Sequence, residues 1–339
     1  MNRGIACLGN LIVDVIKEID SYPQAGNLAT VRSVSQTTGG LVPNCLMDLA
    51  KMDPAFHLEA VGLLGKDEYG EYIRKALECA GIDSSHIGTH PALSTSFTDV
   101  MDQSGGGERT FFHYRGANAA FCPEHIPLRQ IQADILHFGY ILLLDSLDQP
   151  DSEYGTALAR VLCDAQNMGF KTSIDVVSEQ GERFNRLMPP ALKYADYCII
   201  NEIEAAQTVN IPCRDGSGNL LRKNMEPICR ALKAMGVREW AVVHCPEGAF
   251  AVDKQGDYFT QTSLNLPKAE IKGKTGAGDA FCAATLYGAY KEMPLPKTLK
   301  LASAAAAACL TARGAAEGLR TEKALWEMAE RYGFQDDSL

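Results

Sequence analysis

The chain has 339 residues, 46% hydrophobic and 22% charged, with a formal net charge of −10. This length suits one large α/β domain or two smaller ones, and it can bury a substantial core. The acidic balance and the lack of any Lys/Arg run exclude nucleic acid as an expected partner. Polar residues interrupt every apolar run, so no membrane span is expected.

Residues Ile5 to Gly9 predict a short strand ending at Gly9-Asn10, which Val13 and Ile16 continue with Asp14 between them. Asp14 fits a loop or cap residue, or a ligand for a hydroxyl. Ser21 to Thr38 is rich in turn formers and β-branched residues and reads as an exposed excursion. Gly39-Gly40 opens a helix over Leu41 to Lys51, with Pro43 near its start and Pro54 past its end. Asn44 falls in its first turn, as a capping group or as an amide that binds a hydroxyl. Leu58 to Leu64 predicts a buried strand, and Glu71 to Ala80 a helix ended by Gly81. Thr95 to Met101 and Arg109 to Tyr114 form a hairpin about Gly105-Gly106-Gly107. With the earlier excursion it makes a small β lid, 15–38 and 93–116, inserted in a core of 1–14, 39–92 and 117–334.

From residue 120 strands and helices alternate. Strands are expected at Ile135 to Phe138, Lys171 to Val177, Tyr197 to Ile200 and Trp240 to Val243. Helices are expected at Ser152 to Met168, through Leu192, at Asn201 to Thr208 and at Asn224 to Met235. This alternation predicts a parallel sheet covered on both faces. Gly248 to Val252 and Tyr258 to Thr262 make a terminal hairpin. Helices 276–290, Lys297 to Thr311 and Thr321 to Arg331 follow, and the tail from Gln335 is expected to fray. The 11 cysteines are dispersed without CxxC spacing, which argues against a disulfide framework and for a reducing, cytoplasmic setting. The N-terminus has no apolar signal core. The 7 histidines form no HxxxH or HxH pair and read as scattered.

The stretch richest in chemistry is Lys274-Thr275-Gly276-Ala277-Gly278-Asp279-Ala280-Phe281. A glycine turn opening a helix offers free backbone N–H groups to an anion. Asp279 then stands beside that hole, where a carboxylate can take a proton from an attacking hydroxyl. The same residues would serve a plain turn, with Asp279 complementing the helix dipole. A Rossmann fingerprint, a Walker A loop, GxSxG and HExxH are all missing from the sequence.

Two glycine turns into helices, each near a carboxylate, resemble the ribokinase family, also called the PfkB family of carbohydrate kinases. Gly39-Gly40 with Asn44 resembles its N-terminal signature, and Lys274 to Phe281 its C-terminal one. Gly65-x-Asp67-x-x-Gly70, Gly107-Glu108-Arg109, Gly116-Ala117-Asn118-Ala119 and Asn201-x-x-Glu204 match in the right order. The resemblance implies a ribokinase-like α/β fold: a large, mainly parallel sheet flanked by helices on both faces, plus a small β-sheet lid. It implies a sugar kinase with ATP and Mg2+, Asp279 as general base, and an anion hole from the amides of Gly276, Ala277 and Gly278. Asp14, Gly39, Gly40 and Asn44 would hold the sugar or polyol. Asn201 and Glu204 would lie on the phosphate and magnesium side, Glu204 through water, with Gly248 near the nucleotide. Pairing of lids between subunits would make a homodimer.

The chain departs from the family pattern at two points. Gly273-Lys274 stands where Asp-Thr is common, which removes a carboxylate that helps bind a monovalent cation in several members. Lys274 is either a solvated lysine or a ligand of the donor phosphate. Cys245, in Val243-His244-Cys245, replaces the glycine nearest the nucleotide. Arg109 or Arg115 could pair with an acidic sugar, although a neutral monosaccharide is the first expectation. A nucleoside or cyclitol kinase of the same fold, and a non-catalytic sugar-binding regulator, are the alternatives.

Overall fold

The computed structural model describes residues 4–103, 109–177, 181, 183–312 and 314–336. Strand β1 (Ile5–Gly9) is wholly buried; Ile5 and Cys7 enter one core, Ala6 and Leu8 the other. Alternation with both faces apolar marks a strand covered on both sides. It does not continue through Val13 and Ile16. The chain turns at Asn10-Leu11, and β2 (Ile12–Ile19) pairs antiparallel with β3 (Val31–Gly39) in a second sheet. Asn118 pins that turn. Its Oδ1 accepts from Leu11 N at 3.2 Å and its Nδ2 donates to Leu11 O at 3.1 Å.

Helix α1 (Leu41–Met52) starts at Gly40, whose φ of 83° and 2.6 Å clearance between a built Cβ and Asn10 O leave room for glycine alone. Strand β4 (Leu58–Leu64) is fully buried, and α2 (Glu68–Cys79) begins three residues earlier than expected. The reason is Asp67, which caps Gly70 N at 2.9 Å and takes Thr95 N at 2.7 Å on its other oxygen. The helix start is thus tied to the base of the small sheet. Strand β5 (Asp83–Thr89) is a polar edge strand that the sequence did not announce. Strands β6 (Ser96–Gln103) and β7 (Arg109–Tyr114) form the expected hairpin; its turn at 105–107 lies outside the described residues. Strand β6 pairs parallel with β2, giving a four-stranded sheet in the order β3-β2-β6-β7. The short α3 (Gly116–Ala119) returns the chain to the core.

Strand β8 (Ile135–Ile141) runs through the centre of the large sheet. The start of the helix expected from Ser152 is instead a small hairpin, β9 (Pro150–Asp151) and β10 (Gly155–Thr156). Asp151 Oδ1 accepts from Glu153 N and Tyr154 N, each at 2.9 Å, and Gly155 has φ 91°. Such an Asx turn outcompetes a helix. Helix α4 (Ala157–Asn167) then starts at its cap, Thr156. Next come β11 (Lys171–Val176), α5 (Phe184–Leu192), β12 (Tyr197–Asn201), α6 (Glu202–Val209), α7 (Arg222–Ala234) and β13 (Trp240–Cys245). The hairpin β14 (Gly248–Val252) and β15 (Tyr258–Thr262) is followed by α8 (Ala277–Tyr290), α9 (Leu295–Cys309) and α10 (Glu322–Tyr332). Gln335 does not fray: its N–H donates to Ser263 O at 2.9 Å and its carbonyl accepts from Thr262 Oγ1 at 2.7 Å.

The large sheet has nine strands in the order β15-β14-β13-β12-β11-β8-β1-β4-β5, parallel from β13 to β5, with β14 and β15 antiparallel. Helices α1, α2 and α8 to α10 build one core, and α4 to α7 build the other. Because the seven strands from β13 to β5 are parallel, Gly9, Ile141, Val176, Asn201 and Cys245 all lie at one edge, where open α/β sheets bind ligands.

Candidate active site

Helix α8 begins at that edge. Gly276 adopts φ 83°, and a Cβ there would strike the Ala315 carbonyl. No side chain caps the helix, and the first intrahelical bond is Ala280 N to Gly276 O at 2.8 Å. The amides of Ala277, Gly278 and Asp279 therefore precede the helical ladder and carry its positive dipole end. Among the described residues they are three consecutive donors at an uncapped helix start, the arrangement that receives an anion in general.

Asp279 is the third residue of α8 and is buried. Burial pushes its carboxyl up to about 6, against hydrogen bonds that hold it down. Tyr140 Oη donates to Oδ1 at 2.6 Å, and Asn44 Nδ2 donates to Oδ2 at 2.9 Å. Each carboxylate oxygen keeps a second lone pair for an incoming hydroxyl. Asn44 is thus no cap but an orienting amide, carried by α1 to the α8 terminus.

Asp14 faces Asp279 from β2. Its carboxyl is also pushed up to about 6, first by burial and then by the Asp279 charge, while a Thr98 hydrogen bond opposes both. It packs on Gly39, where a Cβ would collide with the Asp14 carboxylate. Register places Asp14, Thr98 and His113 in one row across β2, β6 and β7. Thr98 Oγ1 and His113 Nδ1 are 3.0 Å apart. The two glycine turns and the inner row of the small sheet thus converge on one carboxylate.

Asn201 and Glu204 sit at the end of β12 as a reciprocal capping box. Asn201 Oδ1 accepts from Ile203 N and Glu204 N, and Glu204 Oε2 accepts from Asn201 N at 2.9 Å. Glu204 is buried near Asp175 at the end of β11. Burial, then the Glu204 charge, drives the Asp175 carboxyl well above its usual range. The Glu204 charge thus acts on a second buried carboxyl near the α8 terminus, and carboxylate oxygens are the ligands that a divalent cation such as Mg2+ takes. The neighbouring trio His137, Asp175 and Cys282, with ligand atoms within 4.8 Å, is partly internally bonded: His137 meets Ser173 Oγ at 2.9 Å and Cys282 Sγ at 3.4 Å.

Other expected residues fall differently. Gly248 opens β14, and a Cβ there would strike Gln261 O on the neighbouring strand. Lys274 is exposed. Arg109 reaches the glycine turn: Nη1 donates to Thr275 Oγ1 at 2.6 Å while Nη2 pairs with Asp102 at 2.8 Å. Arg115 bonds Leu142 O at 2.8 Å and Asp145 at 2.6 Å. A cavity of about 1040 Å³ opens on the opposite sheet edge beside Asp134, Lys171 and Glu239, away from these groups.

Three site residues escaped the sequence reading. Tyr140 ends an apolar strand and looked like core. Asp175 closes a strand with no motif around it. His244, on β13, lies 3.3 Å from a Cβ built on Gly278 and packs on Phe281 at 5.0 Å; burial lowers its pKa to about 4, so it is neutral.

Residues 2–322 match the family described as pfkB family carbohydrate kinase. The chain belongs to that family. It is accordingly a sugar kinase, a phosphotransferase with an alcohol group as acceptor. Among curated relatives, an Arabidopsis thaliana ribokinase is 24% identical over 96% of this chain and 80% of its own length. An ATP-dependent ribose-1-phosphate kinase from Halopiger xanaduensis is 26% identical over 96% of this chain and 97% of its own. Among solved structures, Arabidopsis thaliana ribokinase complexed with ribose and ATP superposes with a TM-score of 0.77 at 22% identity, covering 97% and 99% of the two chains. The Methanocaldococcus jannaschii nucleoside kinase gives 0.72 at 17% identity over 97% and 99%. These likenesses establish the ribokinase-like fold for the family member described here.

Proposed function

We propose that this kinase transfers the γ-phosphoryl group of ATP to a hydroxyl of a monosaccharide or related polyol, with Asp279 as general base. The observation that carries this reading is the join of a buried, doubly hydrogen-bonded carboxylate to three uncapped helix amides in one turn of α8. Asp14 and Asn44 hold acceptor hydroxyls. Asp279 receives the hydroxyl proton as the oxygen attacks, and the Ala277 and Gly278 amides meet the charge that spreads over the phosphoryl oxygens. His244, uncharged, borders the donor side without adding charge there. Asp175 and Glu204 are the residues that would hold Mg2+, which supplies charge neutralisation on the donor phosphates. Arg109, bonded to Thr275, closes the small sheet over the turn and excludes water that would compete as acceptor. Exposed Val31, Val34, Phe111 and Phe112 on the small sheet supply an apolar surface for subunit pairing.

The test is ADP release by the purified chain with Mg-ATP across neutral sugars, sugar acids, sugar phosphates, cyclitols and nucleosides. Strong stimulation by a sugar or polyol is expected. Stimulation confined to nucleosides would replace the acceptor class.

A further inference from the structure

Two arginines from different elements meet on one carbonyl. Arg115, just past β7, donates Nη1 to Leu142 O at 2.8 Å. Arg183, the residue before α5, donates Nη1 to the same oxygen at 3.0 Å. The two nitrogens are therefore no more than about 6 Å apart, a gap that one oxyanion group can bridge with two charge-assisted hydrogen bonds. Both side chains remain about one-third open, at 32% and 31% exposure, so a ligand can reach them.

Their position relative to the reacting carboxylate follows from register. His113 shares the row of Asp14 and Thr98, and Arg115 lies two residues beyond His113, close enough for its charge to act on that ring after burial. On the other side, Leu142 is two residues past Tyr140, which holds Asp279. The arginine pair thus borders the acceptor cleft where the small sheet meets the end of β8. Asp145 pairs with Arg115 at 2.6 Å and Asp148 with Arg183 at 3.1 Å, which keeps two like charges together in the free protein.

Electrostatics explains why such a pair would be needed. The chain carries −10 overall, and the cleft itself contains Asp14 and Asp279, whose carboxyls, pushed up to about 6, are still mostly charged at neutral pH. An anionic acceptor entering that field is repelled unless a local positive site receives it. A neutral sugar needs no such site, and hydroxyl recognition is already supplied by Asp14 and Asn44.

We propose that Arg115 and Arg183 form an anion subsite, so that the acceptor is a sugar derivative carrying a carboxylate or phosphate at the end remote from the reacting hydroxyl. The inference rests on the kinase reading above and narrows its substrate class. The experiment compares matched acceptors that differ only in charge: glucose with gluconate and glucose 6-phosphate, and ribose with ribonate and ribose 5-phosphate. Calorimetric binding is measured alongside ADP release, so the subsite is read even without turnover.

The anionic members should bind at least about tenfold more tightly than the neutral ones, and salt should weaken only the anionic set. A carboxylate preference and a phosphate preference identify the two sources. Arg115→Met and Arg183→Met should each raise KM for the anionic acceptor about tenfold or more, with kcat changed less than about threefold. Unaltered melting temperatures in those variants separate lost binding from lost fold. Tighter binding of the neutral members, no binding of any member, or variants that weaken charged and neutral acceptors alike would overturn the subsite. Absence of ADP release with preferential anion binding would leave the subsite standing and refute the kinase mechanism instead.

Discussion

Tyr140→Phe removes a single oxygen, the one that donates to Asp279 Oδ1 at 2.6 Å. That bond favours the charged carboxylate and opposes the burial that raises its pKa to about 6. A hydrogen bond to a charged group contributes about 1.5–3 kcal/mol. Its loss therefore lifts the Asp279 pKa by about one to two units, to about 7–8. At pH 7 the ionised fraction falls from about nine-tenths to between about a half and a tenth. A base must be ionised to accept a proton, so turnover at pH 7 should drop about two- to tenfold and recover towards pH 9. The assay is kcat and kcat/KM from ADP release between pH 5 and 9.5, wild type against variant. An acid limb that stays in place, or a loss equal at every pH, would refute the idea that Tyr140 keeps the base charged.

Three further predictions come from the same geometry. Gly276→Ala forces a Cβ into the Ala315 carbonyl at φ 83°, so stability in urea should fall by more than about 2 kcal/mol and turnover should be lost; a variant as stable as wild type would contradict the glycine assignment. Arg109→Ala and Thr275→Val should each lower kcat/KM about tenfold, and the double variant no further, because they break one contact; additive losses would separate them. Asp14 and Asp279 have folded pKa values near 6, above the unfolded value, so the folded state holds more protons between about pH 4 and 6 and stability declines as pH rises through that window. Melting curves of Asp14→Asn should show a shallower decline there than wild type; an identical slope would refute the burial assigned to that carboxyl.

The parts of the site that were legible in the sequence are those that backbone geometry dictates. Gly40 and Gly276 both adopt φ 83°, and both would clash if given a side chain, so the two turns leave a local signature. Asp279 inherits its place from the second turn. Tyr140, Asp175 and His244 left none, because each acquires its role from a neighbour remote in sequence; Tyr140 reaches Asp279 across 139 residues. The alternation of buried strands and amphipathic helices made the parallel sheet readable. The break at Asn10-Leu11 was not, because an apolar run through Val13 and Ile16 looks the same whether it extends one strand or starts another. The Asp151 turn was hidden for a similar reason: Ser152 to Met168 has helical composition, and only the local hydrogen bonds of Asp151 delay the helix to Thr156.

The most direct test of the account is transfer of labelled γ-phosphoryl from ATP to the best acceptor by wild type and by Asp279→Asn, with acceptor binding measured in parallel. The account predicts at least about a hundredfold loss of kcat in the variant, with the acceptor dissociation constant changed far less. Near wild-type transfer by Asp279→Asn would contradict the role of Asp279 as the base and, with it, the central claim about the α8 terminus.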